Sequence, residues 1–179
     1  MVTITSKIVI CGDFAVGKTT FVKSFLGGEV LEGYKPTIGV DIGKKVFDIE
    51  ENKLIFQIWD LSGQQSFQAI RYQFYSRTDG AVLIFDISRR KSYQNILSWT
   101  EEMLEQTGLI PVVLVGNKID LRDQTTDHVT TAEGEELSKL ITQQTKIQTP
   151  FVEASAIQRY NNLTPFISLG KMILQRHES

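Results

Sequence analysis

The segment from Gly12 to Thr19, with the sequence GDFAVGKT, constrains the fold of this chain more than any other feature. A short apolar and β-branched run, Lys7 to Cys11, precedes it and is typical of a buried strand in a parallel sheet. Apolar residues at helical spacing follow it between Phe21 and Leu26. A strand, a loop of the form G-x-x-x-x-G-K-T and a helix, in this order, make up the pattern of a phosphate-binding P-loop.

Three residues of this loop have predictable roles toward a polyphosphate. Gly17 lets the backbone come close to the ligand, and Lys18 is a point charge that reaches the β- and γ-phosphates. The Thr19 hydroxyl is placed to bind the Mg²⁺ ion that accompanies them. The helix that begins near Lys18 adds the positive end of its dipole. An ordinary glycine-rich turn is the alternative, and the flanking strand and helix disfavour it.

Length and composition predict a single domain over residues 1–179. The chain has 179 residues, 41% hydrophobic and 22% charged, which suffices for one buried core but not comfortably for two. With 19 basic and 21 acidic residues the net charge is -2, so we expect no nucleic-acid partner. The single cysteine, Cys11, lies in the apolar strand, and we expect it to be an inert core residue in a reducing cytosol.

Nothing in the sequence predicts export, a membrane span, a lipid anchor or a zinc site. No apolar stretch reaches about 18 residues, and no basic segment precedes an apolar run at the N-terminus. Val2 stands where myristoylation needs glycine, and the C-terminal residues contain no cysteine for prenylation. His128 and His177 lack partners at metal-ligand spacing. We therefore expect a cytoplasmic protein that reaches membranes only through a partner.

The rest of the chain alternates predicted strands and helices. Residues 40–49 are expected to form an edge strand, joined by a polar turn to an antiparallel strand at 54–59. The patterns predict further strands at 81–86, 112–115 and 151–154, and helices at 92–106, 131–143 and 163–176. Thr130 and Glu133 have capping-box spacing. The polar piece at 142–150 is predicted to be irregular, with residues 142–149 a surface loop or, as the alternative, a partner contact. This order predicts an α/β fold with a mostly parallel sheet and ligands at the carboxyl ends of its strands.

Two loops that follow predicted strands carry candidate functional residues. After the strand at 54–59, Asp60 can hold Mg²⁺ through water, Gly63 can donate its N–H to a γ-phosphate, and Gln64 can orient an attacking water. After the strand at 112–115 comes the sequence NKID, residues 117–120. The Asp120 carboxylate only accepts hydrogen bonds, so it can take those of guanine N1 and N2, which adenine does not offer. Either motif alone would be compatible with an ordinary polar loop.

Together these motifs resemble the small GTPases of the Ras superfamily over nearly the whole chain, from about Lys7 to His177. The motifs that carry the resemblance are GDFAVGKT, YKPTIG at 34–39, WD-x-x-GQ at 59–64, NK-x-D at 117–120 and EASA at 153–156. The resemblance implies a P-loop NTPase G domain whose sheet has six strands, one of them antiparallel, with about five helices. It also implies hydrolysis of GTP to GDP with Mg²⁺. Residues 36–41 and Trp59 are most similar to the Rab branch.

The resemblance also implies a set of site residues. Gln64, Lys18 and Thr37 are expected to act in hydrolysis, and Thr19, Thr37 and Asp60 to bind Mg²⁺. The expected contacts of GTP or GDP are Asp13, Phe14, Ala15, Val16, Gly17, Lys18, Thr19, Thr20, Tyr34, Thr37, Gly63, Asn117, Lys118, Asp120, Ser155, Ala156 and Ile157.

The same resemblance predicts partners for two switch segments. The first is expected from about Glu29 to Ile42 and the second from Phe67 to about Ser76, where effector proteins would bind. An exchange factor and a GTPase-activating protein are expected as well. The rings of Phe47, Trp59 and Tyr75 either form an exposed cluster that faces effectors or complete the core of the sheet and switch.

Four residues depart from the pattern of the family. Phe14 and Ala15 stand next to the expected γ-phosphate, where relatives carry small residues or glycine. The Phe14 ring either obstructs hydrolysis or folds over the nucleotide or into the switches. Val30 replaces an aromatic ring at the guanine edge, which predicts faster nucleotide release, and Ile157 replaces a lysine near the base. The first rival interpretation is a GTP-bound adaptor with little hydrolysis, supported by Phe14. The second, an ATPase or nucleoside kinase, is disfavoured by residues 117–120.

Overall fold

The computed structural model describes residues 2–27 and 39–178, which form a six-stranded sheet with helices on both faces. The strands are β1 (Thr3–Cys11), β2 (Val40–Ile49), β3 (Asn52–Leu61), β4 (Gly80–Asp86), β5 (Val112–Asn117) and β6 (Phe151–Glu153). Their order across the sheet is β2-β3-β1-β4-β5-β6. Only the β2–β3 hairpin is antiparallel, and the other pairs are parallel. The predicted fold class is confirmed.

Six α-helices flank this sheet within the described residues. They are α1 (Lys18–Leu26), α2 (Gln68–Phe74), α3 (Arg90–Gln94), α4 (Ile96–Thr107), α5 (Thr131–Thr145) and α6 (Thr164–Glu178). Short 3₁₀ turns occupy Gln65–Phe67 and Ile119–Gln124. The single helix predicted at 92–106 is two helices, so there are six rather than about five. They meet at Asn95, whose ψ of -9 departs from the helical value and whose side chain bonds to Asp13 in the loop after β1.

The alternation of side chains along the strands divides the core between the two faces of the sheet. Ile8 and Ile10 of β1 pack with α1 and α6 on one face, whereas Val9 and Cys11 pack with α4 and α5 on the other. On the first face, Phe25 and Phe166 stack with ring centroids 3.7 Å apart. Strands β4 and β5 are buried at every position because both of their faces are covered.

The three aromatic rings proposed as an effector-facing cluster do not form one. Phe47 packs against Phe25 and Phe56 on the face of α1, whereas Trp59 packs on the opposite face. Tyr75 is 0% exposed and donates a hydrogen bond to Glu102. The alternation of residues in the hairpin sends Phe47 and Trp59 to different sides. These rings instead complete the core of the sheet and switch, which was the alternative prediction.

The segment predicted as an irregular surface loop at 142–150 is largely ordered by hydrogen bonds. Helix α5 continues to Thr145 and ends with Lys146 in the left-handed conformation. Thr149 is 3% exposed and donates its backbone N–H to Thr142 Oγ1 at 2.9 Å. The helix thus runs two residues past its predicted end at 143, where threonine hydroxyls close it, and residues 146–150 form an irregular connection to β6, as predicted. At the other end of α5, the predicted capping box of Thr130 and Glu133 is present.

The sheet gathers the ends of its parallel strands at one edge. Strands β1, β3, β4, β5 and β6 run in the same direction, so the segments that follow Cys11, Leu61, Asp86, Asn117 and Glu153 meet there. The last residues of these strands and the segments after them hold the GDFAVGKT, WD-x-x-GQ, NK-x-D and EASA motifs. No helix between residues 2–27 or 39–178 is long and apolar enough to cross a membrane.

Candidate functional site

Two adjoining cavities lie at this edge of the sheet. The larger, of about 520 Å³, is lined by the loop after β1, the start of β2 and the end of β3. The smaller, of about 150 Å³, is lined by residues around Asn117, Asp120 and Ala156. Gly17, Thr20 and Lys118 line both. The structure thus brings the P-loop, the Asp60 loop and the NKID motif around one continuous site.

The backbone of the P-loop is turned so that its carbonyl groups are held by side chains. Each carbonyl oxygen from Gly12 to Val16 accepts a hydrogen bond. The donors are Lys18 Nζ to Gly12 (2.9 Å) and Asp13 (2.7 Å), Arg89 Nη2 to Phe14 (2.5 Å), Lys118 Nζ to Ala15 (2.9 Å) and Asn117 Nδ2 to Val16 (2.9 Å). By contrast, the N–H groups from Phe14 to Thr19 make no hydrogen bond within residues 2–27 and 39–178. A loop whose N–H groups are free in this way is suited to bind an anion.

Two glycines are required by this geometry. Gly17 has φ 95, a left-handed conformation that favours glycine, and it precedes the first residue of α1. A Cβ at Gly63 would lie 2.4 Å from the backbone of Gly12, Asp13 and Phe14, so only glycine allows the end of β3 to lie against the P-loop. The Gly63 peptide is consequently adjacent to the larger cavity.

Lys18, Thr19 and Asp60 form a compact polar group at the floor of the larger cavity. Lys18 is 6% exposed and Asp60 is 7% exposed. Burial lowers the pKa of Lys18, and the charge of Asp60 acts against that shift. Burial raises the pKa of Asp60, while the hydrogen bond from Thr19 acts in the opposite direction. The Thr19 hydroxyl donates to Asp60 Oδ2 at 2.5 Å, which places a hydroxyl and a carboxylate oxygen side by side.

This pair fits a divalent cation of the Mg²⁺ type that is bound chiefly through other ligands. Mg²⁺ takes one or two protein oxygens and completes its shell with water and phosphate. The parts of the chain that the structure describes contain no group of three or more His, Cys, Asp or Glu residues that could hold a metal alone. The hydroxyl of Thr19 and the carboxylate of Asp60 supply the one or two protein oxygens that Mg²⁺ needs. A buried Asp60 with a raised pKa would also be stabilised as a carboxylate by a cation.

The smaller cavity has the features of a site for a flat, polar ring. Asn117 is 1% exposed, and its Oδ1 accepts the backbone N–H of Ala156 at 3.1 Å. Asp120 Oδ1 accepts the Ser155 hydroxyl at 2.5 Å, while its Oδ2 has no partner in the described part of the chain. Ile157, at the rim, is 73% exposed. One carboxylate oxygen is therefore oriented by Ser155 and the other is available to a ligand.

Two of the predicted contact residues are placed differently from the rest. The Asp13 carboxylate accepts hydrogen bonds from Asn95 Nδ2 and Trp99 Nε1, both at 2.8 Å, so its side chain faces α4. Asp13 therefore contributes its backbone, and not its carboxylate, to the phosphate-binding loop. Phe14 is 60% exposed and lines the larger cavity at its rim.

Gln64 is held through its backbone and not through its side chain. Its carbonyl oxygen accepts a hydrogen bond from Arg71 Nη1 at 2.7 Å, and the same nitrogen donates to the Ser62 carbonyl. Arg71 is 2% exposed, pairs with Glu102 through two nitrogens, and lies over the Trp99 ring. Arg71 thereby ties the segment before α2 to α4. The Gln64 side chain is exposed and forms no hydrogen bond within the described ranges.

Several residues that support the site were not predicted from the sequence. Asp86, at the end of β4, pairs with Lys118 at 2.8 Å, and its place after an apolar strand resembles that of Asp60 and was a usable signal. Arg71 and Arg89 carry no motif, and no sequence signal pointed to either. Tyr34 and Thr37, expected to contact the nucleotide, and Val30 lie in residues 28–38, outside the described part of the chain.

Comparison with known protein families agrees with this arrangement. The family model described as Ras family matches residues 7–175, which is nearly the entire chain and covers all five motifs. Members of that family are GTP-binding switches with GTPase activity. The protein is thus a member of the Ras family of small GTPases.

Proposed function

We propose that this protein binds GTP with Mg²⁺ at the two adjoining cavities, hydrolyses it to GDP and phosphate, and signals through its switch segments. The observation that carries the proposal is the contrast between the carbonyl and the N–H groups of the P-loop. Its carbonyl groups from Gly12 to Val16 are all engaged by side chains, whereas its N–H groups from Phe14 to Thr19 are free within the described residues. A polyphosphate is the ligand whose charge and number of oxygens match such a loop.

Each side chain at the phosphate end has a proposed role. Lys18 is buried beside the Gly12 and Asp13 carbonyls, to which its ammonium group donates. We propose that it exchanges these hydrogen bonds for bonds to phosphate oxygens when the nucleotide binds. Thr19 and Asp60, together with Thr37 of the undescribed segment, hold Mg²⁺, which neutralises charge on the β- and γ-phosphates. The Gly63 N–H and the Gln64 side chain serve the γ-phosphate and the attacking water.

The base end is proposed to select guanine. The free oxygen of Asp120 would accept hydrogen bonds from N1 and N2 of the base, and the Ala156 N–H, which donates to Asn117 Oδ1 in this structure, would also serve O6. Lys118 and Ile157 flank the base. An adenine ring would leave the Asp120 carboxylate unpaired, and sites of this kind reject such ligands by about 10⁴-fold.

The output is proposed to be a choice of partner. Segments 29–42 and 67–76 would be ordered by the γ-phosphate and released after hydrolysis, which alters the surface offered to effector proteins. An exchange factor and an activating protein would set the rates. We also propose that residues 1–179 form one G domain, that the protein is a cytoplasmic monomer, and that it acts in membrane traffic or cell organisation as a Rab-like protein, recruited to membranes by a partner.

The proposal is tested by supplying GTP and ATP together to the purified protein. We expect release of one phosphate per GTP consumed, no consumption of ATP, and loss of the reaction when EDTA removes Mg²⁺. Equal use of ATP, or failure to retain guanine nucleotide, would refute it.

The exposed ring of Phe14 supports a second candidate, a GTP-bound adaptor with little hydrolysis. The ring lies at the cavity rim, where it can obstruct Gln64 or an arginine supplied by an activating protein. The comparison of wild type with Phe14→Gly decides between the two. Negligible turnover in the wild type that Phe14→Gly restores favours the adaptor, whereas unchanged intrinsic and stimulated turnover shows that the ring obstructs nothing.

A further inference from the structure

Arg89 has a position relative to the P-loop that the proposed function does not use. It lies in the short connection between β4 and α3, and its guanidinium donates a 2.5 Å hydrogen bond to the carbonyl oxygen of Phe14, 75 residues away in sequence. None of the motifs that identify the nucleotide site includes Arg89. It is nevertheless the sole donor to that carbonyl in the described part of the chain.

The backbone of Arg89 is fixed on both sides. Its N–H donates to the Asp86 carbonyl at 3.0 Å, and its carbonyl accepts from the N–H and the hydroxyl of Ser92 at 2.9 and 2.7 Å. Asp86 is in turn held by Ser88 and by its ion pair with Lys118. The guanidinium therefore extends from an anchored position, unlike that of an arginine on an unrestrained surface loop.

The bond to Phe14 fixes the orientation of the next N–H group. A trans peptide is planar, with its C=O and N–H pointing in opposite directions. Because Arg89 holds the Phe14 oxygen from outside, the Ala15 N–H points the other way, and both residues line the larger cavity. Ala15 has φ 63, a conformation that is unfavourable for a residue with a Cβ and needs support from its surroundings.

Two cations thus hold consecutive peptides of the strained segment. Arg89 binds the carbonyl of Phe14, and Lys118 binds that of Ala15 at 2.9 Å. Both cations are anchored near Asp86. A loop whose carbonyls are tied down does not have to reorganise when an anion arrives, and binding then loses less free energy to ordering.

We propose that Arg89 is a positioning residue for the nucleotide, which keeps the Ala15 N–H directed at the β-phosphate by holding the Phe14 carbonyl. The proposal rests on guanine-nucleotide binding at this site. Arg89 acts through the loop, and its removal weakens the hold on the diphosphate while the base contacts around Asp120 remain.

The test measures the release of a fluorescent GDP analogue from wild type, Arg89→Ala, Arg89→Lys and Arg90→Ala. Arg90 is the matched control because it is the next residue but bonds to Asp127, Glu133 and the His128 carbonyl, away from the P-loop. Loss of one charge-assisted hydrogen bond predicts about ten-fold faster release in Arg89→Ala. Arg89→Lys should recover part of the loss, and Arg90→Ala should stay within about two-fold of wild type.

A second measurement separates positioning from general loosening of the fold. GMP lacks the β-phosphate, so the ratio of GDP to GMP affinity should fall in Arg89→Ala and stay at the wild-type value in Arg90→Ala. If Arg89 only stabilised the fold, both affinities would fall together and the ratio would not change, which would overturn the proposal. Unaltered GDP release in Arg89→Ala would overturn it too, while leaving the proposed function intact. A wild type that holds no GDP would refute the function itself, and the role of Arg89 with it.

Discussion

Asp13 of the P-loop accepts a 2.8 Å hydrogen bond from the indole N–H of Trp99, which lies on α4, 86 residues later in the sequence. The second oxygen of the same carboxylate accepts from Asn95 at 2.8 Å, at the point where α3 meets α4. Trp99 also carries the guanidinium of Arg71 on its ring. The loop after β1 and the segment before α2 are therefore both supported by one helix.

Replacing Trp99 by Phe should destabilise the protein by about 1–2 kcal/mol, because one oxygen of Asp13 loses a donor. Chemical denaturation in urea measures this. Trp59→Phe is the control, since the buried indole nitrogen of Trp59 has no hydrogen-bond partner among the described residues. Equal losses in the two variants would mean that the bond to Asp13 adds nothing.

Replacing Glu102 by Ala should cost about 3 kcal/mol of stability, because the buried charge of Arg71 is then left without its partner. The side chain of Arg71 is 3% exposed and that of Glu102 is 11% exposed, so water screens this pair poorly. The exposed neighbour Glu101 provides the control, and Glu101→Ala should change the free energy of unfolding by less than about 0.5 kcal/mol. Similar stabilities of both variants in urea would contradict the role given to Arg71.

Inosine diphosphate should bind more weakly than GDP by about ten-fold to a hundred-fold. It lacks the N2 amino group, which would donate a hydrogen bond to the free oxygen of Asp120. Competition against a fluorescent GDP analogue gives both affinities. In Asp120→Ala the two nucleotides should compete about equally, and a preference for GDP that survives this substitution would place base selection elsewhere.

Acid should remove the contribution of Glu133 to stability. The hydrogen bond from Arg90, followed by that from the Thr130 backbone, lowers the pKa of Glu133 from its ordinary 4.5 to about 2. A lowered pKa means that the folded state favours the carboxylate, so the stabilisation is present at neutral pH and is lost as the pH falls from 4.5 toward about 2. The difference between wild type and Glu133→Gln, which is modest because the pair is partly exposed, should close over that window in urea titrations. A constant difference would exclude this linkage.

The parts of the fold that follow from local pattern were predictable. Runs such as Val112 to Val115 are apolar because both faces of the sheet are covered, and Thr130 with Glu133 signals a helix start through neighbouring residues. The roles expected of Gln64 and Asp120 come from motifs whose chemistry is local, and they stay predictions until nucleotide is measured.

Contacts between distant residues were not predictable from the pattern. The partner of Asp13 lies on α4, and nothing near Asp13 indicates that its carboxylate faces a tryptophan and not a ligand. The carbonyl of Phe14 is held by Arg89, whose surroundings contain no motif. The prediction of an exposed cluster of Phe47, Trp59 and Tyr75 was wrong. A resemblance indicates which rings are present, but not on which face of the hairpin each ring lies.

Single-turnover hydrolysis of GTP by wild type, Gln64→Leu and the matched control Gln65→Leu shows whether this protein is a hydrolytic switch. The leucine side chain in Gln64→Leu cannot orient a water, so we expect Mg²⁺-dependent hydrolysis that falls by about ten-fold or more in Gln64→Leu and is nearly unchanged in Gln65→Leu. Equal rates in wild type and Gln64→Leu, or no hydrolysis by any of the three proteins, would contradict it.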